Sequence, residues 1–111
     1  MKKPINQMQE QVDNWIKKYG VRYFTPLTNM AILAEEVGEV ARIIARESGE
    51  QSHRKKSPKG KLGAELSDVL FVTLCLANQH GIDLQKEFDV KLKKKTKRDK
   101  TRHLKNPKLR V

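Results

Sequence analysis

Two acidic motifs hold most of the chemistry this chain could do. Glu35-Glu36-Val37-Gly38-Glu39 is followed, 26 residues after Glu39, by Glu65-Leu66-Ser67-Asp68. Each carries an acidic pair at i, i+3 inside an apolar helical pattern. Residues three or four apart share a helix face, so Glu36 and Glu39 project side by side, as do Glu65 and Asp68. The first face also carries Ile32, Val40 and Ile43, and the second Leu62, Val69 and Val72. An E-E-x-x-E run alone often marks a solvated face. Here the flanks are apolar, and desolvating a carboxylate is costly unless it is paired or holds a metal. Four converging carboxylates repel one another, and divalent cations are the simplest remedy. Oxygen-only ligands suit hard cations, Mg²⁺ first and Mn²⁺ second. No His accompanies the acids, which disfavours a helical di-iron site built on Glu-x-x-His pairs and a zinc site needing N or S ligands. A carboxylate-held Mg²⁺ can bridge phosphate oxygens, orient an in-line water and lower its pKa.

Four helices are expected to position these groups. Ile5, Met8, Val12, Trp15 or Ile16, and Tyr19 make one stripe over residues 5–19, closed by Gly20. Trp15 reads either as core or as a platform for a nucleobase. Thr28 or Asn29 is the expected cap of a second helix running to about Ser48. Met30, Leu33, Val37, Val40, Ala41 and Ile44 face one way and Ile32 and Ile43 widen the set, so this helix must be central or buried against a partner chain. Gly38 inside it suggests a close approach by another helix or a ligand. Residues 50–61 read as a surface loop whose cations could meet a polyphosphate, and His53 has no ligand partner at helical spacing. Leu62–His80 is the third helix and residues 84–100 the fourth, capped by Asp83. The fourth loses its apolar face after Leu92 as Lys93, Lys94, Lys95, Lys97 and Arg98 accumulate.

The 111 residues suffice for one small domain, read as residues 1–104 with a basic, disordered end at 105–111. Few aromatics and many helix formers favour an all-α fold. The net charge of +11 sits almost wholly in residues 91–111, where 11 Lys and Arg face one acid, Asp99. Such a block attracts phosphates, on nucleotides or on nucleic acid. No apolar run is long enough to span a membrane, and Met1-Lys2-Lys3-Pro4 lacks the apolar core of a secretory signal. The lone Cys75 lies in an apolar run, which fits a reducing, cytoplasmic setting. No Walker loop, Ser/His/Asp set or reactive cysteine is present.

E-E-V-G-E at 35–39, E-L-S-D-V-L-F at 65–71 and K-x-x-x-R-D at 94–99 together resemble the MazG-like nucleotide pyrophosphohydrolases of the all-α NTP pyrophosphatase superfamily. The resemblance runs from about Ile5 to His103. The Y-F-T-P-L segment at 23–27 is similar to that of small single-domain YpjD-type members. The resemblance implies a four-helix bundle completed by oligomerisation, as a dimer or tetramer. It implies Mg²⁺-dependent hydrolysis of nucleoside triphosphates, deoxy and non-standard ones among them, to monophosphate and pyrophosphate, as in nucleotide pool sanitation. Glu36, Glu39, Glu65 and Asp68 fall on its metal-ligand positions, and Glu35 is a second-sphere or water-orienting candidate. Lys94 and Arg98 fall on its phosphate-gripping positions, and Trp15 near its base pocket. Many relatives carry Asn near the cations, where this chain has Lys95, Thr96 and Lys97.

Two rivals belong to other classes. One is a small basic helical protein that binds nucleic acid through residues 91–105, although no aromatics interleave there for base stacking. The other is an inactive relative that serves as an interaction subunit.

Overall fold

The structure, a computed structural model, describes residues 2–52 and 61–110. Among them are four α-helices and no strand: α1 at Ile5–Trp15, α2 at Pro26–Ser48, α3 at Leu62–Gln79 and α4 at Leu84–Asp99. The fold is all-α, as the composition predicts. A π-helical turn, Ile16–Gly20, prolongs α1, and a 3₁₀ turn spans Pro107–Leu109. His53 and the loop cations Arg54, Lys55, Lys56 and Lys59 lie at 53–60, outside the described residues.

The helix ends follow from local chemistry, with one correction. The cap of α2 is Thr25, whose hydroxyl accepts from the Thr28 N–H at 3.4 Å, rather than Thr28 or Asn29. Pro26 takes the first helical position, where its missing N–H costs nothing. At α4 the expected cap holds, with Asp83 Oδ1 accepting from Lys86 N–H at 3.2 Å. Gly81 reverses the chain before it at φ +63°. Between α1 and α2, Val21 has φ +70° and ψ −58°, and the Arg22 N–H donates to Gly20 O at 2.8 Å. That is a γ-turn of the rare positive-φ kind, strained for a β-branched residue. Near the C-terminal end, Asn106 Oδ1 accepts from Lys108 N–H and caps the 3₁₀ turn.

The core lies where α2, α3 and the end of α1 meet. Ile16, Ile43, Val72, Leu74, Cys75 and Ala77 are its buried apolar residues. A fully buried aliphatic side chain contributes about 1.5–3 kcal/mol. α2 packs on α3, α1 on α3, and α4 on α1. A polar network fixes α1 to the α3–α4 turn. Buried Gln9 donates to Asn78 Oδ1 at 3.0 Å and to Ile82 O at 2.8 Å, and accepts from Leu84 N–H at 2.9 Å. Asn78 in turn donates to the Tyr23 hydroxyl, which donates to Asp13 at 2.6 Å.

The single chain is more open than its size requires. Its accessible surface is 9470 Å², against roughly 6300 Å² for a folded monomer of this mass. Its radius of gyration is 17.9 Å, against about 13 Å. Much of the surplus is apolar. On α2, Leu27, Met30, Val37 and Ile44 are 82%, 53%, 50% and 48% exposed. With Ala34 and Ala41 they recur at three and four residues, the spacing of a coiled-coil seam. The close approach expected at Gly38 is not made by any described residue of this chain, since a Cβ there would meet none of them within 4 Å.

Candidate active site

α2 and α3 run antiparallel, as the Asn29–Gln79 hydrogen bond at one end requires. Toward the other end the two acidic motifs face each other. Glu36, Glu65 and Asp68 each offer a carboxylate oxygen, and these oxygens lie within 4.8 Å of one another. Glu36 and Glu65 are half-buried and Asp68 is exposed. Partial burial pushes the Glu36 carboxyl above its ordinary value, and the charges of Asp68, Glu65, Glu39 and Glu35 push it further. Among the described residues no cation pairs with Glu36, Glu65 or Asp68, so their negative charge is not neutralised there. An all-oxygen donor set with this much uncompensated charge fits a hard divalent cation.

Other residues expected at this site are placed differently. Glu39 lies outside the close group and meets Arg42 at 3.5 Å. Glu35 is exposed. Arg98 is engaged by its neighbour, donating to Asp99 from Nε at 3.1 Å and from Nη2 at 2.8 Å. The two arginines Arg98 and Arg102 hold the Asp99 carboxyl at about 2. Lys94 and Arg98 belong to α4, which packs on α1 rather than beside the acids.

A cleft of about 410 Å³ opens from Glu36 and Asp68 along the α2–α3 groove. Trp15, Ile16, Ile32, Phe71 and Val72 supply apolar walls. Trp15 is half exposed and packs edge-on against Phe71 with ring centroids 5.7 Å apart, so it is a wall of the cleft rather than sealed core. Tyr23, Phe24 and Arg22 form the lip that follows the strained γ-turn, and Asn29 and Cys75 lie deeper. From the sequence Val21–Thr28 reads as a connection and Asn29 as a candidate helix cap, not as a lining residue of a cleft. Spacing could have found these positions. Asn29 and Ile32 lie seven and four residues before Glu36, and Val72 and Cys75 four and seven after Asp68. They therefore share the acids' helix faces.

An all-α chain whose two central helices present a carboxylate cluster beside an apolar-walled cleft is built to hold a cation next to an organic ligand. The model of the MazG nucleotide pyrophosphohydrolase domain matches residues 24–103, and the chain belongs to that family. It is 38% identical over 100 residues to YpjD, an uncharacterised protein of Bacillus subtilis strain 168, covering 90% of each chain. The crystal structure of Bacillus subtilis YpjD superposes with a TM-score of 0.74 at 36% identity, covering 85% of this chain and 96% of that one. The crystal structure of a Bacillus-conserved MazG protein, a nucleotide pyrophosphohydrolase, superposes with a TM-score of 0.70 at 38% identity, covering 85% and 90%.

Proposed function

We propose that this chain hydrolyses nucleoside triphosphates, deoxy and non-standard ones among them, to the monophosphate and pyrophosphate. The observation that carries the reading is the carboxylate triad Glu36, Glu65 and Asp68 at the mouth of a nucleoside-sized cleft, in a chain of the MazG family. These three acids would hold Mg²⁺, or Mn²⁺ in its place, and Glu39 would join them by releasing Arg42. When bound, the cation offsets the triad's charge, polarises phosphate oxygens and lowers the pKa of a nearby water. The chain's own residues supply the rest. Trp15 and the apolar walls hold the base and exclude water from it. Glu35 orients the water that attacks the α-phosphorus in line with the departing pyrophosphate. Lys94 and Arg98 grip the terminal phosphates and offset the charge that develops on the leaving group.

The site is completed by a second copy of the chain, in a dimer or tetramer. The exposed α2 seam and the excess surface support assembly, and α4's packing on α1 leaves its cations to reach acids of another copy. Small residues Ala34, Gly38 and Ala41 would let that helix approach closely. Residues 1–104 form the catalytic unit, with 105–111 an accessory basic end. The buried free thiol of Cys75 suits the reducing cytoplasm. No described helix is long and apolar enough to cross a membrane.

Product analysis tests this directly. Incubation with standard and modified triphosphates should release monophosphate and pyrophosphate with Mg²⁺ and nothing with EDTA. Diphosphate plus orthophosphate would mean the wrong scissile bond, and nucleotide binding without turnover would mean an interaction subunit.

A further inference from the structure

Asn29 is 5% exposed, lines the inner part of the cleft and has a hydrogen-bonding pattern that fixes which of its atoms is left over. Phe24 O is a backbone carbonyl and can only accept. The Gln79 side-chain amide donates to it, so Gln79 must turn its own oxygen toward Asn29. Asn29 Nδ2 then donates to Gln79 Oε1 at 2.8 Å and reaches Phe24 O at 3.5 Å. Both amide orientations follow from a group with no proton to give. Asn29 Oδ1 is thereby an acceptor, and no described residue donates to it. A buried acceptor without a donor is costly, so what occupies the cleft is expected to supply one.

The surroundings narrow what that donor belongs to. Asn29 precedes Glu36 by seven residues, about 10 Å of helix, which is roughly the span from an α-phosphate to the far edge of a base. The strong donors of the cleft are committed or remote from this end. The Tyr23 hydroxyl donates to Asp13, and Arg22 and the half-exposed Trp15 stand at the rim. The neighbouring Cys75 offers only a weak S–H donor. At the far edge of the ring, C4 of a pyrimidine or C6 of a purine, a keto base presents a carbonyl oxygen that no strong donor meets there, whereas an amino base presents the N–H that Asn29 Oδ1 lacks.

We propose that Asn29 Oδ1 reads the exocyclic amino group at C4 of cytosine or C6 of adenine, so that the cleft selects these nucleotides over those of uracil, thymine and guanine, which carry a carbonyl oxygen at that position. Gln79 and Phe24 O act through Asn29 as positioning groups. This deepens the hydrolase reading and rests on it for the identity of the ligand. It does not require turnover.

Binding to the full chain, with Mg²⁺, is therefore the test. Trp15 is the chain's only tryptophan and walls the cleft, so its fluorescence reports occupancy. The probes are α,β-methylene CTP and its pyrimidin-2-one analogue, which lacks only the 4-amino group. The CTP analogue should bind at least about tenfold tighter, the size of one lost hydrogen bond to a buried partner. α,β-Methylene UTP should bind as weakly as the pyrimidinone. Asn29→Leu should erase the difference between the two cytosine-shaped probes. Equal binding of both by the native chain overturns the inference without recourse to any variant. So does binding of neither, or a preference that survives in a folded Asn29→Leu chain. If the preference is present and CTP itself is not hydrolysed, the inference stands and the hydrolase reading falls.

Discussion

The acidic face of α2–α3 and the cationic end of α4 are opposite in sign and opposite in how the chain treats their charge. Glu36, Glu65 and Asp68 crowd within 4.8 Å, and burial together with the neighbouring acids raises the proton affinity of Glu36. On α4, Arg98 is satisfied by Asp99, which Arg102 also meets at 3.1 Å. Among the described residues the acids are left without a cation, whereas Arg98 has its own counter-charge beside it in a segment that stays strongly positive. Like charges held together by well-packed helices point to a counterion from outside. An arginine tethered by two hydrogen bonds to its neighbour is oriented and waits for an anion on its remaining donors.

Breaking the acidic side should have the largest effect. Glu36→Gln, Glu65→Gln or Asp68→Asn should each lower kcat by about a thousandfold or more with helicity unchanged. The stability change should run the other way. The Glu36 carboxyl is raised in the folded chain, so at neutral pH the native state carries an ionisation that the unfolded chain tolerates better. Metal-free protein should therefore lose stability as pH rises through the unfolded carboxylate range toward Glu36's raised value. Glu36→Gln should melt higher than the native chain without metal and respond less to added Mg²⁺. Thermal melts at pH 4 to 8, with and without Mg²⁺, check this. A lower melting temperature for the variant would remove the repulsion argument.

The cationic side should matter less, and through binding. Lys94→Ala and Arg98→Ala should cost tenfold to a hundredfold in kcat/KM, about 1.4–2.8 kcal/mol. The contrast becomes sharper if the two sides come from different copies. An equimolar mixture of Glu36→Gln and Arg98→Ala chains, unfolded and refolded together, should recover activity that neither shows alone. No recovery, with mixed oligomers demonstrated, would put both charges of a site on one chain.

The seam joining the copies comes next. Met30→Glu combined with Val37→Glu places like charges on the exposed α2 stripe and should dissociate the assembly, read by sedimentation. Activity should fall with assembly and return at high protein concentration. Dissociated chains with full activity would mean the open α2–α3 groove works alone.

Much of this molecule was legible in the sequence because helix periodicity and acidic spacing are local. All four helices lie where the apolar stripes place them, and the i, i+3 rule pairs Glu65 with Asp68. What escaped depends on backbone or tertiary detail. Thr25 rather than Thr28 caps α2 because Pro26 fits a helix's first position as readily as it ends one. The π-helical turn and Val21's γ-turn carry no composition signal, yet they set the lip of the cleft. Glu39 shares a face with Glu36, but Arg42, one turn on, competes for it. Asn29 reads as a helix cap from sequence. Only its burial and its bond to Gln79 leave it a spare acceptor oxygen in a residue that lines the cleft.

Asp99 offers the smallest effect and the finest discrimination between the two regions. Its carboxyl is held at about 2, first by the hydrogen bonds from Arg98 and then by those from Arg102. A depressed folded value contributes stability above the unfolded carboxylate pKa, about 3.9, and that contribution is lost as pH falls from there toward about 2. An NMR titration should find Asp99 ionised well below pH 3 while Glu36 titrates above the ordinary glutamate value. Asp99→Asn keeps the shape and removes the charge, so Arg98 loses its tether but not its own charge. KM for a triphosphate should rise two- to fivefold with kcat nearly unchanged, because the guanidinium must now be ordered by the substrate itself. An unchanged KM would mean Arg98 needs no orientation, and a collapse in kcat would mean the Asp99 charge acts on the reacting phosphorus. Either result would erase the proposed division of labour, in which the acids act on the bond that breaks and α4 acts on the group that leaves.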